Sequence, residues 1–137
     1  MQVQAYLFFE GRCEEALAFY TKTIGAQVLM LKRYKEAPPN HEGPTQPPEL
    51  AEKVMHASFR VGESVVMGSD GYSRGEPKFE GFSLSLTVAS DDEAARVFKA
   101  LVDGGEATMP LEKTFFSSSF GMLKDRFGVH WMVMAAP

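Results

Sequence analysis

Between Phe82 and Val88 apolar and small hydroxyl side chains alternate, with Phe82, Leu84, Leu86 and Val88 set against Ser83, Ser85 and Thr87. A period of two predicts a strand with one apolar and one hydroxyl face. The period then changes. Ser90-Asp91-Asp92-Glu93 has the spacing of a capping box, and Ala94, Val97, Phe98, Leu101 and Val102 recur three and four apart, predicting a helix that ends at Gly104-Gly105. The same order of signals occurs earlier in the chain: Ala5-Tyr6-Leu7-Phe8-Phe9, then a stripe of Cys13, Ala16, Leu17, Tyr20 and Ile24 closed by Gly25. At an offset of about seventy-eight positions, Glu15 falls on Glu93, Ala16 on Ala94, Tyr20 on Phe98 and Ile24 on Val102. The chain repeats one unit.

Three strands are predicted after each helix: 27–34, 54–61 and 64–69 in the first half, and 107–115, 117–124 and 129–135 in the second. Each half reads β-α-β-β-β, giving module one over 1–70, a glycine-containing linker over 71–78 and module two over 79–137 within one domain. The fold class is α+β, with two pseudo-symmetric modules expected to curve into a half-barrel cleft. Helices require the apolar face of the second-half strand, so Ser83, Ser85 and Thr87 line either solvent or the cleft, and a curved sheet closed by its repeat favours the cleft. By the repeat, Ala5, Leu7 and Phe9 should share the cleft, with Tyr6 and Phe8 beneath the helices. Residues 36–50 hold five of the eight prolines and form a long loop, either a surface connection or a lid.

Composition narrows the function classes. With 137 residues, 45% of them hydrophobic, the chain suffices for one core. A net charge of −4 with scattered Lys and Arg carries no footprint for nucleic acid or an anionic membrane, and no apolar run approaches a membrane span. The single Cys13 cannot form an internal disulfide and the first residues do not resemble a signal peptide, so a cytoplasmic location is expected.

Candidate chemistry is sparse. His130 has the strand parity of Met132 and points to the cleft, where an imidazole can move a proton or hold a ligand, or serve only structure; Trp131 and Val133 should pack beneath the helix. His41, Glu42 and His56 are a second possible metal set. Phe115, Phe116 and Phe120 form either an aromatic wall or plain core, and Cys13 on the buried stripe reads as an inert thiol.

Phe19-Tyr20 with Gly25-Ala26, Met67-Gly68-Ser69-Asp70, Thr114-Phe115-Phe116 and Phe120-Gly121 with the run Asp125 to Met132 resemble, in this order, the PhnB-like subfamily of the vicinal oxygen chelate (glyoxalase and bleomycin-resistance) superfamily. Members are often labelled as a ubiquinone-pathway methyltransferase, yet the chain has no strand-to-helix glycine fingerprint for an adenosyl cofactor. The resemblance implies a metal held by four side chains on the first and last strand of each module, which fall here on Ala5, Met67, Ser83 and Met132. Alanine has no donor, neutral serine is a poor ligand and thioethers prefer soft ions, so the inherited site is expected to be lost and no cofactor is expected. The methionines read either as core filler or as the floor of an apolar pocket.

The resulting expectation is a homodimeric binder of a small molecule, by analogy with drug-sequestering members of the superfamily, with a pocket of Leu7, Phe9, Met67, Ser83, Ser85, Phe116, His130 and Met132. One alternative is an enzyme using His130 as acid or base on a small organic substrate, with a metal bound elsewhere or none. Another is a protein whose cleft is filled by its own side chains and whose role is interaction alone.

Overall fold

The computed structural model describes residues 1–37, 48–73 and 75–137. The chain divides into two compact units, Met1–Glu76 and Pro77–Pro137, the boundary falling in the predicted linker. Unit one holds β1 (Tyr6–Phe8), α1 (Cys13–Ile24), β2 (Gln27–Arg33), β3 (Val54–Val61) and β4 (Ser64–Ser69). Unit two holds β5 (Leu84–Val88), α2 (Asp91–Val102), β6 (Glu106–Glu112), β7 (Phe120–Lys124) and β8 (His130–Ala135). Both follow the predicted β-α-β-β-β order.

The helices form where their caps and stripes place them. Ser90 Oγ accepts the Glu93 N–H at 3.2 Å and opens α2; Gly25 at φ 67° closes α1 in the left-handed conformation. Cys13, Ala16, Leu17 and Tyr20 of α1 and Ala94, Val97 and Leu101 of α2 are buried, whereas Ile24, Phe98 and Val102 are half-buried. Gly121 on β7 lets α2 come close, because a Cβ there would stand 2.7 Å from Phe98 Cε2 and 3.0 Å from Leu111 Cα.

Each unit builds one four-stranded mixed sheet, ordered β1-β4-β3-β2 and β5-β8-β7-β6, with the first strand parallel to the last and the other pairs antiparallel. The expected curved half-barrel does not form: among the described residues each sheet is open, with β1 and β2 as the edge strands of one and β5 and β6 of the other. Closure needs strands long enough, and suitably tilted, to pair edge to edge. β1 has three residues, and the register of β2 on β3 is broken at Val28/Met30 and Lys32/Arg33. Period-two alternation shows that a sheet has two unlike faces, but it does not encode curvature.

The faces of β1 are also the reverse of those expected from the repeat. Leu7 and Phe9 are buried in the core, with the Phe9 ring centroid 6.3 Å from that of Tyr20 on α1, while Phe8 is 54% exposed on the other side. Tyr6 pairs with Met67 and Ser85 with Met132, so the strands superpose at an offset one residue longer than the helices do. The additional residue lies in the turn before α1, where Glu10 and Gly11 take φ of 49° and 102°. A slip of one residue exchanges every side chain between faces. By the same register Gln4, not Ala5, stands in unit one where Ser83 stands in unit two.

Two buried carboxylates fix the strand ends. Asp70 Oδ1 accepts the Cys13 N–H at 2.8 Å and Oδ2 the Val54 N–H at 2.6 Å, tying the start of α1 to the start of β3. Asp125 Oδ1 accepts the N–H groups of Phe127 and Val129, and Oδ2 accepts Trp131 Nε1–H at 2.9 Å, which shapes the turn into β8. The lid expected over 36–50 falls mainly on 38–47, outside the described residues; 34–36 and 48–50 form 3-10 turns.

Candidate functional site

β8 presents its two kinds of residue to opposite sides, as its sequence predicts. Trp131, Val133 and Ala135 are buried on the α2 side, and His130, Met132 and Met134 are half-buried on the open side. β5 lies beside it with Leu84 opposite Trp131, Ser85 opposite Met132 and Thr87 opposite Met134. β7 adds Met122 opposite Met132, Lys124 opposite His130 and Phe120 opposite Met134, and β6 adds Met109 opposite Met122. Residues paired across strands share a face. The open face of unit two therefore carries one row of Ser85, Met132, Met122 and Met109, flanked by a polar row containing His130 and Lys124.

At the polar end of this face lies an open pocket of about 390 Å³, lined by Gly81, Phe82, Ser83, His130 and Met132. Ser83, His130 and Met132 of the expected set thus come together. Phe82 was expected beneath the helix, but β5 begins only at Leu84, so the alternation does not extend to Phe82 and its half-exposed ring joins the pocket. His130 makes no side-chain hydrogen bond among the described residues, so its ring nitrogens remain available to a ligand. Ser83 Oγ is in the same condition. Buried polar groups find partners in native proteins, and among the described residues no fully buried side-chain nitrogen or oxygen is left unsatisfied.

The remaining expected pocket residues lie elsewhere. Ser85 is exposed on the same open face beside Met132. Leu7 and Phe9 are core residues of unit one and are not among the residues lining this pocket, for the register reason given above. Met67 is half-buried on the open face of unit one, level with Tyr6 and Ser58. Phe116 is 45% exposed in the loop before β7, its ring 5.0 Å from Phe120 and 5.1 Å from Phe115, so the three phenylalanines form one edge-to-face ladder. That loop is tied down by Ser118 and Ser119 hydroxyls donating to Asp91 Oδ1, and those bonds hold the Asp91 carboxyl below its ordinary value.

Sequence reasoning missed Met109, Met122, Lys124 and Phe82. The methionines were visible as alternate residues, but only register could put them in one row. It also left the role of His56 open. His56 Nδ1 is 3.1 Å from Tyr6 Oη, so this imidazole is engaged by a phenol on the open face of unit one. Its suggested metal partners His41 and Glu42 lie outside the described residues, and among the described residues no group of three or more His, Cys, Asp and Glu is placed to hold a metal ion. The inherited positions offer thioethers at Met67 and Met132, a hydroxyl at Ser83 and, after the register correction, the Gln4 amide, a donor set ill suited to a borderline divalent ion. Cys13 is fully buried, and burial first, then the Asp70 and Glu14 carboxylates, push its thiol up to about 12.

Residues 1–134 match the family described as 3-demethylubiquinone-9 3-methyltransferase. The chain is 38% identical to protein PA1353 from Pseudomonas aeruginosa, whose crystal structure it matches with a TM-score of 0.85 over 99% of this chain and 98% of that one. It is 33% identical to the PhnB protein from Bacillus cereus, with a TM-score of 0.78 over 99% of this chain and 100% of that one. The chain belongs to the PhnB-like family of the vicinal oxygen chelate superfamily. Protein YjdN of Escherichia coli is a further PhnB-like relative, 34% identical over 140 residues that span 97% of this chain and 94% of that protein. More distant is FosX from Listeria monocytogenes, a fosfomycin resistance protein with a TM-score of 0.68 and 9% identity over 100% of this chain and 94% of that one, a likeness of fold alone.

Proposed function

We propose that this PhnB-like chain binds a small organic molecule at the pocket of Ser83, His130 and Met132, without a resident divalent metal at the inherited positions. The observation that carries this reading is an imidazole and a hydroxyl, both without a side-chain hydrogen bond among the described residues, at the edge of a pocket of about 390 Å³ beside a methionine row. A volume of that order suits a small ligand, and methionine adapts to irregular apolar shapes. The methyltransferase description belongs to the family. Among the described residues each unit has one parallel strand pair and no doubly wound parallel sheet of the kind on which dinucleotide-like adenosyl sites are built, so the reading does not extend to methyl transfer.

A second reading rests on the same imidazole: His130 moves a proton to or from the bound molecule while Ser83 orients it. Native mass spectrometry of freshly purified protein, before and after denaturing release, tests the first reading. Bound mass in the parent and its loss in Ser83→Trp, which fills the pocket, are the expected result. Retention of the same ligand by folded Ser83→Trp would place binding elsewhere. Turnover of the released ligand that disappears in His130→Gln while binding persists would favour the second reading.

We further propose that the protein works as a homodimer in the cytoplasm. Among the described residues no helix is long and apolar enough to cross a membrane.

A further inference from the structure

We infer that the ligand class of this pocket is a planar aromatic acid, whose ring lies on the methionine row and whose carboxylate is held by Lys124, His130 and Ser83. The inference rests on the binding reading above and narrows it to a chemistry.

The argument starts from register. On one face of the sheet of unit two, Met109, Met122 and Met132 stand opposite one another on β6, β7 and β8. Adjacent strands lie about 5 Å apart, so three thioethers span about 10 Å, the length of a fused two-ring system. Thioether sulfur makes favourable contacts with aromatic rings, and a flat strip of flexible side chains favours a flat partner over a globular one. All three methionines are half-buried, so a ring placed there removes more apolar surface from water.

The next row along the same strands is of opposite character. Lys124 is opposite His130, and His130 shares the pocket with Ser83. An ammonium, an imidazole and a hydroxyl thus stand in one row across β7, β8 and the residue before β5, at one end of the apolar strip, and an anion with several acceptor oxygens answers such a row. Among the described residues one carboxylate competes for Lys124: Glu106 Oε1 lies 3.8 Å from Lys124 Nζ, with the side chains 66% and 44% exposed. At that distance and exposure the pair is weak and exchangeable, so a ligand carboxylate can replace Glu106.

The test is calorimetric titration of the purified full-length chain with three probes on one carbon frame: 2-naphthoate, 2-naphthalenemethanol and decahydro-2-naphthoate. 2-Naphthoate is expected to bind about tenfold more tightly than the neutral alcohol, the scale of a hydrogen bond to a charged group, and more tightly than the saturated acid, which has no π face. Lys124→Met should abolish the preference for acid over alcohol. Glu106→Gln should strengthen naphthoate binding, a gain that misfolding cannot mimic. In protein carrying 13C-methyl methionine, ring-current shifts should appear at Met122 and Met132 and not at Met55 on β3. Equal affinity for naphthoate and the alcohol, or unmoved Met122 and Met132 methyls, would overturn the aromatic-acid inference and leave the binding reading standing. Binding of none of the three, by a protein that releases no ligand on denaturation, would overturn both.

Discussion

Cys13 shows how a single side chain is read from its surroundings. The stripe of α1 predicted burial, and the structure adds the reason for inertness: the sulfur is enclosed and Asp70 approaches its backbone N–H. Only the thiolate is nucleophilic, so a thiol pushed up to about 12 should not react with an aromatic disulfide reagent at pH 8 until the protein unfolds. The same shift links stability to alkaline pH. The folded state keeps its proton at a pH where the unfolded chain, with a thiol of about 8.5, has lost it. The contribution of Cys13 is therefore complete below about 8.5 and falls as pH rises toward about 12, at up to about 1.4 kcal/mol per unit. Chemical denaturation of the parent and Cys13→Ala between pH 8 and 11 should show a steeper loss in the parent. Parallel curves would contradict the burial-driven shift.

At the scale of elements, the sequence was legible wherever a local signal sufficed. Ser90 and Gly25 cap the helices they were expected to cap, 54–61 and 64–69 are strands with the predicted ends, and Trp131 alternates with His130 as its strand parity required. Pairing was not legible, because nothing local states which residue of one strand meets which of another. One extra residue in the Glu10-Gly11 turn turned Leu7 and Phe9 into core and took them from the expected pocket, and Met109 and Met122 entered the site only through their register with Met132. Gly121 belongs to the same class, since its need is set by Phe98 on a different element. Gly121→Ala forces a methyl to within 2.7 Å of the Phe98 ring and 3.0 Å of the Leu111 backbone, an overpacking expected to cost about 1–3 kcal/mol. A smaller side chain at Phe98 should return part of that loss. Denaturant midpoints for Gly121→Ala, Phe98→Leu and the double variant measure the coupling. A Gly121→Ala protein as stable as the parent would show that β7 and α2 are not held this closely.

For the whole molecule, the surface of β2 bears on how many copies act together. Among the described residues β2 is an edge strand of its sheet, and it exposes three consecutive apolar side chains, Val28 at 45%, Leu29 at 49% and Met30 at 38%. Natural edge strands are usually blunted with charges or bulges. Here Lys32 and Arg33 supply charge at one end, and the register break between Val28 and Met30 supplies a bulge that leaves Leu29 out of the pairing. A bulge prevents a second sheet from simply continuing the first, yet it does nothing to hide apolar surface. Cover by side-chain packing from a second copy answers both facts, since a two-fold interface uses the same patch twice. The chain should therefore run as a dimer, about twice its 15.2 kDa, in light scattering at micromolar concentration. Leu29→Lys should bring the mass to that of a monomer while the far-ultraviolet circular dichroism stays unchanged, because Leu29 contributes no buried core. A parent that is monomeric across that range would remove the dimer. A dimer indifferent to Leu29→Lys and to Val28→Lys would move its interface away from β2.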